Sequence, residues 1–465
     1  MPGDELAQSL GLSTWISEAD GIGGLLKVRV EDFRVEEVAK TPALDQKGRF
    51  TVARVTLTDW ETNRFVSRLA RELSISRKRI FFSGTKDKRA VTTQLFVIDA
   101  PVHKVEGVEL KDVDIEVLGR SHQKLRLGDH EHNRFTIVVR GCADTDGSPM
   151  SGEEAVEQVD TIIVALEERL GEARFPNWIG PQRFGSMRPV TAEVGRHVLE
   201  GDFQGAVDTY LGMPGQREPE EVALFRDCWR KQRSVEAALE VIPRQLGFER
   251  DMLNHLKKRE DDWRGAFRRL PNNLQLMTIH ALQSLVFNHV LVGRIERDMP
   301  LTSPLVGDLV GPLLEGGKVD VGKLSTVEAD TLQRIARNCR RGRLVVTGPL
   351  PGAESVGALD EIGELERAVL VDLGLDSTDW KVSEIPRLTT RGTRRALTAP
   401  FVELTYETAA VVEGDDLGQR WRDGPQPGEC WHPDGGSVRF RFSLPPGTYA
   451  TTLMRELMRT PIHQH

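Results

Sequence analysis

Asp87 stands in the segment SGTKDKRA (83–90), with Lys86 before it and Lys88 and Arg89 after it. Neighbouring cations favour the ionised carboxylate. Such a group, once substrate has excluded water, can attack an electron-poor carbon or accept a proton. The bland alternative is a turn residue, because Asp beside Gly is common in turns for its own backbone bonding. Glu31, Asp32 and Glu36 are the acids that could complete a carboxylate dyad, the arrangement of a nucleoside or glycoside hydrolase.

Other chemical signals are weaker. Asp129, His130, Glu131 and His132 gather in one stretch, but the zinc-peptidase pattern would need His at 134, where Arg134 stands. No metal site is expected. The chain has no G-x-x-x-x-G-K-[ST] segment, and GIGGLL (21–26) puts Leu26 where a dinucleotide fingerprint needs its last Gly. Cys142, Cys228, Cys339 and Cys430 are far apart with no Cys-x-x-Cys, so neither a disulfide framework nor a zinc ribbon is indicated.

The elements that would hold Asp87 are readable in outline. Residues 25–38 alternate apolar and charged with period two, which predicts one half-buried strand with Lys27 on its polar face. From Thr62 the spacing changes to Phe65, Val66, Leu69 and Leu73, predicting a helix capped by Thr62 or Asn63. IFF, the turn and TTQLFVI follow, then a strand over 134–141. A helix over 153–170 carries Val156, Val159, Ile163, Leu166 and Leu170, with Gly171 as its stop. Residues 186–395 are more helical. Strand patterns return at 401–412 and 438–447, before a helix over about 449–459. The layout is α+β.

The 465 residues carry 62 basic and 70 acidic side chains, a net charge of −8. That excludes a uniformly basic nucleic-acid coat protein, so any polyanion must be held by local basic faces. Residues 63–89 carry nine basic and two acidic side chains, with Arg64, Arg68 and Arg71 on one helical face. Arg334, Arg337, Arg340, Arg341 and Arg343 form a second group; Arg387, Arg391, Arg394 and Arg395 form a third. Such faces suit phosphate backbones. An RNA-binding protein without chemistry would use them equally, and would need no acid at 87. The N-terminus lacks a basic start with an apolar core. With no run of about 20 apolar residues, a soluble, cytoplasmic protein is expected.

The pieces GLLKVRVEDFRVEE, FFSGTKDKRAVTTQ, KLRLGDHEHNRFTIVVRG, FPNWIGPQRFG and FRFSLPPGTYATTLMREL occur in this order over about 24–459. In them the chain resembles the TruD-type tRNA pseudouridine synthases. GTKDKRAVTTQ and FPNWIGPQRFG are the most specific; the middle matches mainly at HALQSLVFN. The resemblance implies isomerisation of uridine to pseudouridine, at position 13 of tRNA, without cofactor or metal. It also implies a catalytic domain with a central mixed, mostly antiparallel sheet, built from 1–185 and 396–465, and an inserted α/β lobe over 186–395. The family's catalytic aspartate falls on Asp87 and its substrate-binding residues on Lys27, Lys86, Asn133, Phe135 and Phe442. The two phenylalanines would sandwich the extruded base; read from the strand pattern alone, they are core residues. Arg134 fills the variable centre of the N-x-F motif, and Pro446 stands where a small residue is expected. The tRNA substrate is the one partner implied.

Overall fold

The computed structural model describes residues 4–464 other than 127, 186–187, 216–217, 315, 411 and 413–416, with backbone only at 463. The chain divides into two units. One comprises Trp15–Phe175, Leu313–Lys318 and Thr398–His465; the other comprises Met1–Thr14, Pro176–Pro312 and Val319–Leu397. The cuts near 175 and 397 thus differ from the expected 185 and 396, and the first fourteen residues fall with the middle of the chain.

The first unit is built on a nine-stranded sheet. Its strands are β1 (Gly23–Leu25), β2 (Phe33–Ala39), β3 (Phe50–Thr58), β4 (Ile80–Phe82), β5 (Val91–Ile98), β6 (Val113–Ser121), β7 (His130–Cys142), β8 (Val402–Thr408) and β9 (Ser437–Leu444). The order is β8-β9-β7-β2-β5-β3-β6, with β1 also on β7 and β4 also on β5. β2 and β5 run parallel and the other pairings are antiparallel. β9 lies directly on β7, with Phe442 opposite Phe135 and Leu444 opposite Asn133. Across the other edge of β7, Val35 faces Phe135 and Glu37 faces Asn133. Residues more than 300 apart in sequence are therefore lateral neighbours.

The single strand predicted over 25–38 is in fact two. β1 ends at Leu25, Lys27 takes a left-handed backbone at φ 55°, and a short 3-10 turn at Val30–Asp32 precedes β2. Alternation of residue types cannot register a left-handed residue, because a period of two is compatible with two short strands and a kink. Val411, in the expected 401–412 strand, lies outside the described residues; β8 ends at Thr408.

The helix Thr62–Glu72 buries Phe65, Val66, Leu69 and Ala70 against the sheet. Removing Phe65 and Leu69 from water is worth about 1.5–3 kcal/mol each. Its cap is Glu61, whose carboxylate accepts from the Asn63 and Arg64 amides. Thr62, expected as cap, is the first helical residue and buried. The helix Gly152–Leu170 opens with a Ser151/Glu154 capping box and stops at Gly171, φ 80°. Its inward stripe is Ala155, Val159, Ile162, Leu166 and Leu170, so Val156 and Ile163 sit one position off the predicted face.

The second unit packs helices around a core that includes Val194, Phe225, Trp229, Leu253 and Phe267. It also holds a four-stranded antiparallel sheet of Ser325–Thr326, Leu309–Gly311, Val345–Leu350 and Thr393–Ala396. The 25-residue helix Asn272–Glu296 is long and apolar enough to cross a membrane by length and composition, unlike the sequence expectation. Most of it is buried inside the protein. Its Asn288 amide accepts from the Ile179 amide and donates to the Leu10 and Ile179 carbonyls, which satisfies a polar group that the apolar surroundings would otherwise penalise.

Candidate active site

The turn between β4 and β5 carries Asp87, and two independent anchors fix it. On one side the Lys86 amide donates to the Thr62 hydroxyl at 3.0 Å. On the other, Arg89 donates from Nε and Nη2 to the Lys27 and Val28 carbonyls at 2.9 and 2.8 Å. The second anchor reaches the kinked link between β1 and β2. That kink turns the Lys27 side chain toward the turn, where Nζ donates to Asp87 Oδ2 at 2.7 Å. The Asp87 side chain remains 44% exposed while Lys27 is only 19% exposed. A carboxylate held at one oxygen by a fixed ammonium, and otherwise open, is oriented without being used up.

Lys27 Nζ also lies 4.4 Å from the Phe33 ring centroid, a cation–π contact. Phe33 meets Phe135 edge-on at 6.3 Å, and Phe135 stacks on Phe442 at 5.4 Å with 26° between the rings. Asp87 is thus linked to the two expected aromatics through Lys27 and Phe33. The rings do not form an open sandwich. Phe135 is 8% and Phe442 1% exposed, and their direct stacking leaves no layer between them for a third ring. The strand-pattern reading, core residues, describes them as they stand.

Lys86 does not join Lys27 on the Asp87 carboxylate. Its Nζ donates at 2.5 Å to Oε2 of Glu37, whose side chain is fully buried and whose Oε1 accepts from the Ser83 hydroxyl. Glu37 therefore ties together two residues of the turn that precede Asp87. Asn133 lies opposite Glu37 on β7, with its Nδ2 3.2 Å from His130 Nε2. Burial, and then the nearby Lys86 ammonium, hold His130 below the usual imidazole range. The four-residue stretch around His130 forms no metal cluster among the described residues.

Glu37, Ser83 and Phe33 carried no sequence expectation, and Thr62 was expected only as a helix cap. A signal existed for Glu37. The β2 alternation buries Phe33, Val35 and then Glu37, and a charge at a core position of a strand demands a partner. The acids offered for a hydrolase dyad are committed elsewhere. Asp32 accepts from Arg140 at 2.6 and 2.8 Å and from the Arg29 amide; Glu36 pairs with Arg134 and Glu31 with Arg29.

The basic groups separate on inspection. In the third, Arg394 is buried against Glu366, Arg395 bonds Asn177, and Arg387 donates to Gln275. That group is largely internal cross-linking. Arg334, Arg337, Arg340, Arg341 and Arg343 are all exposed, on and just past the helix Leu332–Arg340 whose inward residues are Ile335 and Cys339. In the first group, Arg68 pairs with Glu72 and Arg79 with Asp99, while Arg77, Lys78 and Lys88 stand exposed.

A family model described as tRNA pseudouridine synthase D (TruD) matches residues 9–457. A Methanosarcina acetivorans protein named "Probable tRNA pseudouridine synthase D" is 36% identical over 456 residues, covering 98% of this chain and 97% of the relative. A Halobacterium salinarum protein of the same name is 34% identical over 466 residues, with 98% and 97% covered. The solved Methanosarcina mazei chain that carries the tRNA pseudouridine synthase D (TruD) name superposes with a TM-score of 0.80 at 33% identity, each chain covered in full. Over nearly its whole length, and in fold as well as motif, the chain belongs to the TruD family of tRNA pseudouridine synthases.

Proposed function

We propose that this protein isomerises uridine to pseudouridine in tRNA, at position 13, with Asp87 as the catalytic carboxylate. The observation that carries the assignment is the Lys27–Asp87 pair, 2.7 Å long and half open to solvent at the acid, beside the Phe33–Phe135–Phe442 aromatics. In this reading 15–175 and 398–465 form the catalytic domain and the middle of the chain is an inserted lobe. Acting on tRNA supports a cytoplasmic location.

A uridine in folded tRNA must leave its stack before an acid can reach the sugar, at a cost of a few kcal/mol. Aromatic surface offsets that loss. Because Phe135 and Phe442 already stack on each other, the base lies across the rim of the pair or parts it. Asp87 then attacks C1′, or takes the C2′ proton to leave an unsaturated sugar. The N1–C1′ bond breaks with its electron pair on the uracil, whose negative charge Lys27 stabilises. Uracil rotates, C5 bonds to C1′, and the C5 proton departs. In the C2′ route that carbon regains its proton; in the C1′ route the ester to Asp87 is released. Atoms balance and mass is unchanged. Phe135 has no ionisable group, so the C5 proton passes to Asp87 or to water. Lys86 and Asn133 act indirectly, by holding the turn and the strand beside it.

The test is tritium release from tRNA labelled at C5 of uridine, with the modified position mapped afterwards. Release confined to position 13 is the expected result. Release without a new pseudouridine, or an abasic product of lower mass, would defeat the assignment.

A further inference from the structure

A second concave site lies in the other unit, where the helix Gly247–Lys258 meets the short helix Trp263–Phe267. A hollow of about 410 Å³ is lined by Arg259, Arg264, Arg268 and Arg269, with His255 at its base. His255 is 6% exposed. Its Nε2 lies 2.8 Å from Asp262 Oδ2, and its Nδ1 lies 3.1 and 2.8 Å from Arg269 Nε and Nη2. Two guanidinium N–H groups aimed at Nδ1 require that atom to accept, so the ring proton sits on Nε2 and is donated to Asp262. The histidine is therefore a neutral prop that holds the Arg269 fork in one orientation at the rim of the hollow.

Asp262 is the single acid in the lining, and its carboxylate is already engaged. It accepts from His255 and from the Gly265 amide, bonds that hold it below the usual carboxyl range. Gly265 is fixed by this packing: a Cβ there would come within 2.2 Å of Asp262 Oδ2 and 2.3 Å of His255 Nε2. The bland account is helix capping, and the same unit supplies a control for it. His197, Asp202 and Gly205 repeat the device, with Asp202 accepting from the Gly205 amide and lying 2.9 Å from His197 Nδ1. There the other side of the imidazole faces Glu193, not a guanidinium. Capping therefore explains the shared His–Asp–Gly trio. It does not explain four arginines converging on a hollow around the second copy alone.

We propose that this hollow is an anion site for phosphate groups. Its arginines present planar forks suited to phosphate oxygens, and it is wide enough for a phosphodiester with part of its sugar. The phosphates have two possible sources, the backbone of the tRNA substrate or free phosphate. The RNA backbone is favoured because a protein with a net charge of −8 must hold a polyanion at local basic concavities. That preference rests on the tRNA reading above, whereas the anion chemistry does not.

The test compares the wild type with a variant carrying Arg264→Ala and Arg268→Ala. Both side chains are exposed, so the fold is expected to survive. A charge-matched control carries Arg230→Ala and Lys231→Ala, which lie outside the hollow and pair with Asp227. Binding of a tRNA transcript is measured across a salt series, and inorganic phosphate is titrated without RNA while melting is followed. The expected result is tRNA affinity about tenfold weaker for the hollow variant, a salt slope smaller by about one to two, and unchanged turnover at saturating tRNA. The control should keep its slope. Melting raised by phosphate in the wild type but not in the hollow variant, with equal slopes, would assign the site to free phosphate. Equal loss in both variants, or no change in either measurement, overturns the proposal. A wild type that binds no tRNA at all would instead overturn the tRNA reading, and the phosphate titration would still judge the hollow.

Discussion

Two carboxylate–cation pairs sit beside the same sheet, on its strands and the turns between them, and are used in opposite ways. Asp32 and Arg140 are 3% and 7% exposed, and the carboxylate takes both arms of the guanidinium as well as a backbone amide. Asp87 and Lys27 share one bond, and most of the acid's remaining surface is open. Burying charge is offset only when its hydrogen bonds are complete, so the Asp32 pair has nothing left to offer a substrate. The Asp87 pair is under-committed by design of its turn. Reactivity is read from the unfilled lone pairs more than from the presence of a charge partner.

The widest separation between the pairs comes from removing each acid. Asp87→Asn should abolish turnover, by about 10⁴-fold or to background, with an unchanged urea midpoint. Asp32→Asn should do the reverse, costing about 3–5 kcal/mol of stability by leaving Arg140 uncompensated, while the folded fraction keeps its kcat. An active Asp87→Asn enzyme would collapse the distinction. Phe442→Ala tests which side of the divide the aromatic pair occupies. Its burial predicts a loss of about 3–5 kcal/mol, measurable by denaturant unfolding; a stable but inactive variant would make the ring purely a substrate contact.

Glu37→Gln sharpens the comparison from beneath. Gln keeps the shape but not the charge that holds Lys86, so the turn should loosen and kcat fall by about 10²-fold with KM for tRNA little changed. Equal loss in a variant that also unfolds would reduce Glu37 to a structural group. The smallest effect concerns acid pH. Burial holds His130, His280 and His289 below their ordinary value of 6.5. The unfolded chain therefore binds protons that the folded one refuses. Stability is complete above pH 6.5 and falls as pH drops toward the folded values. His130→Gln should lose less of its urea midpoint below pH 6.5 than the wild type does.

Much of this was legible in the residues, and the failures have physical causes. Helix 152–170 was plain because its apolar stripe and its stopping glycine agree. Asp87 was visible as an acid among cations, and the resemblance through GTKDK implies the role proposed for it. The kink at Lys27 was not legible, since it satisfies the same alternation as an unbroken strand. Nor was the division of labour between the two lysines, because Glu37 reaches Lys86 only through a parallel strand pairing and the β4–β5 turn. The third arginine group failed for a related reason: sequence shows charges, whereas Glu366 and Asn177 approach Arg394 and Arg395 only in the folded unit.

The left-handed backbone at Lys27 has a further implication. A residue with a Cβ is strained there by about 1 kcal/mol or more, and glycine would relieve it. Glycine would also delete the ammonium that steadies the acid. In the proposed role of Lys27, backbone strain and catalysis therefore pull in opposite directions at this one position. A lineage that drifted to glycine there would shed the backbone strain together with the contacts to Asp87 and Phe33, so under the proposed role the identity of that residue marks whether a relative still performs the chemistry.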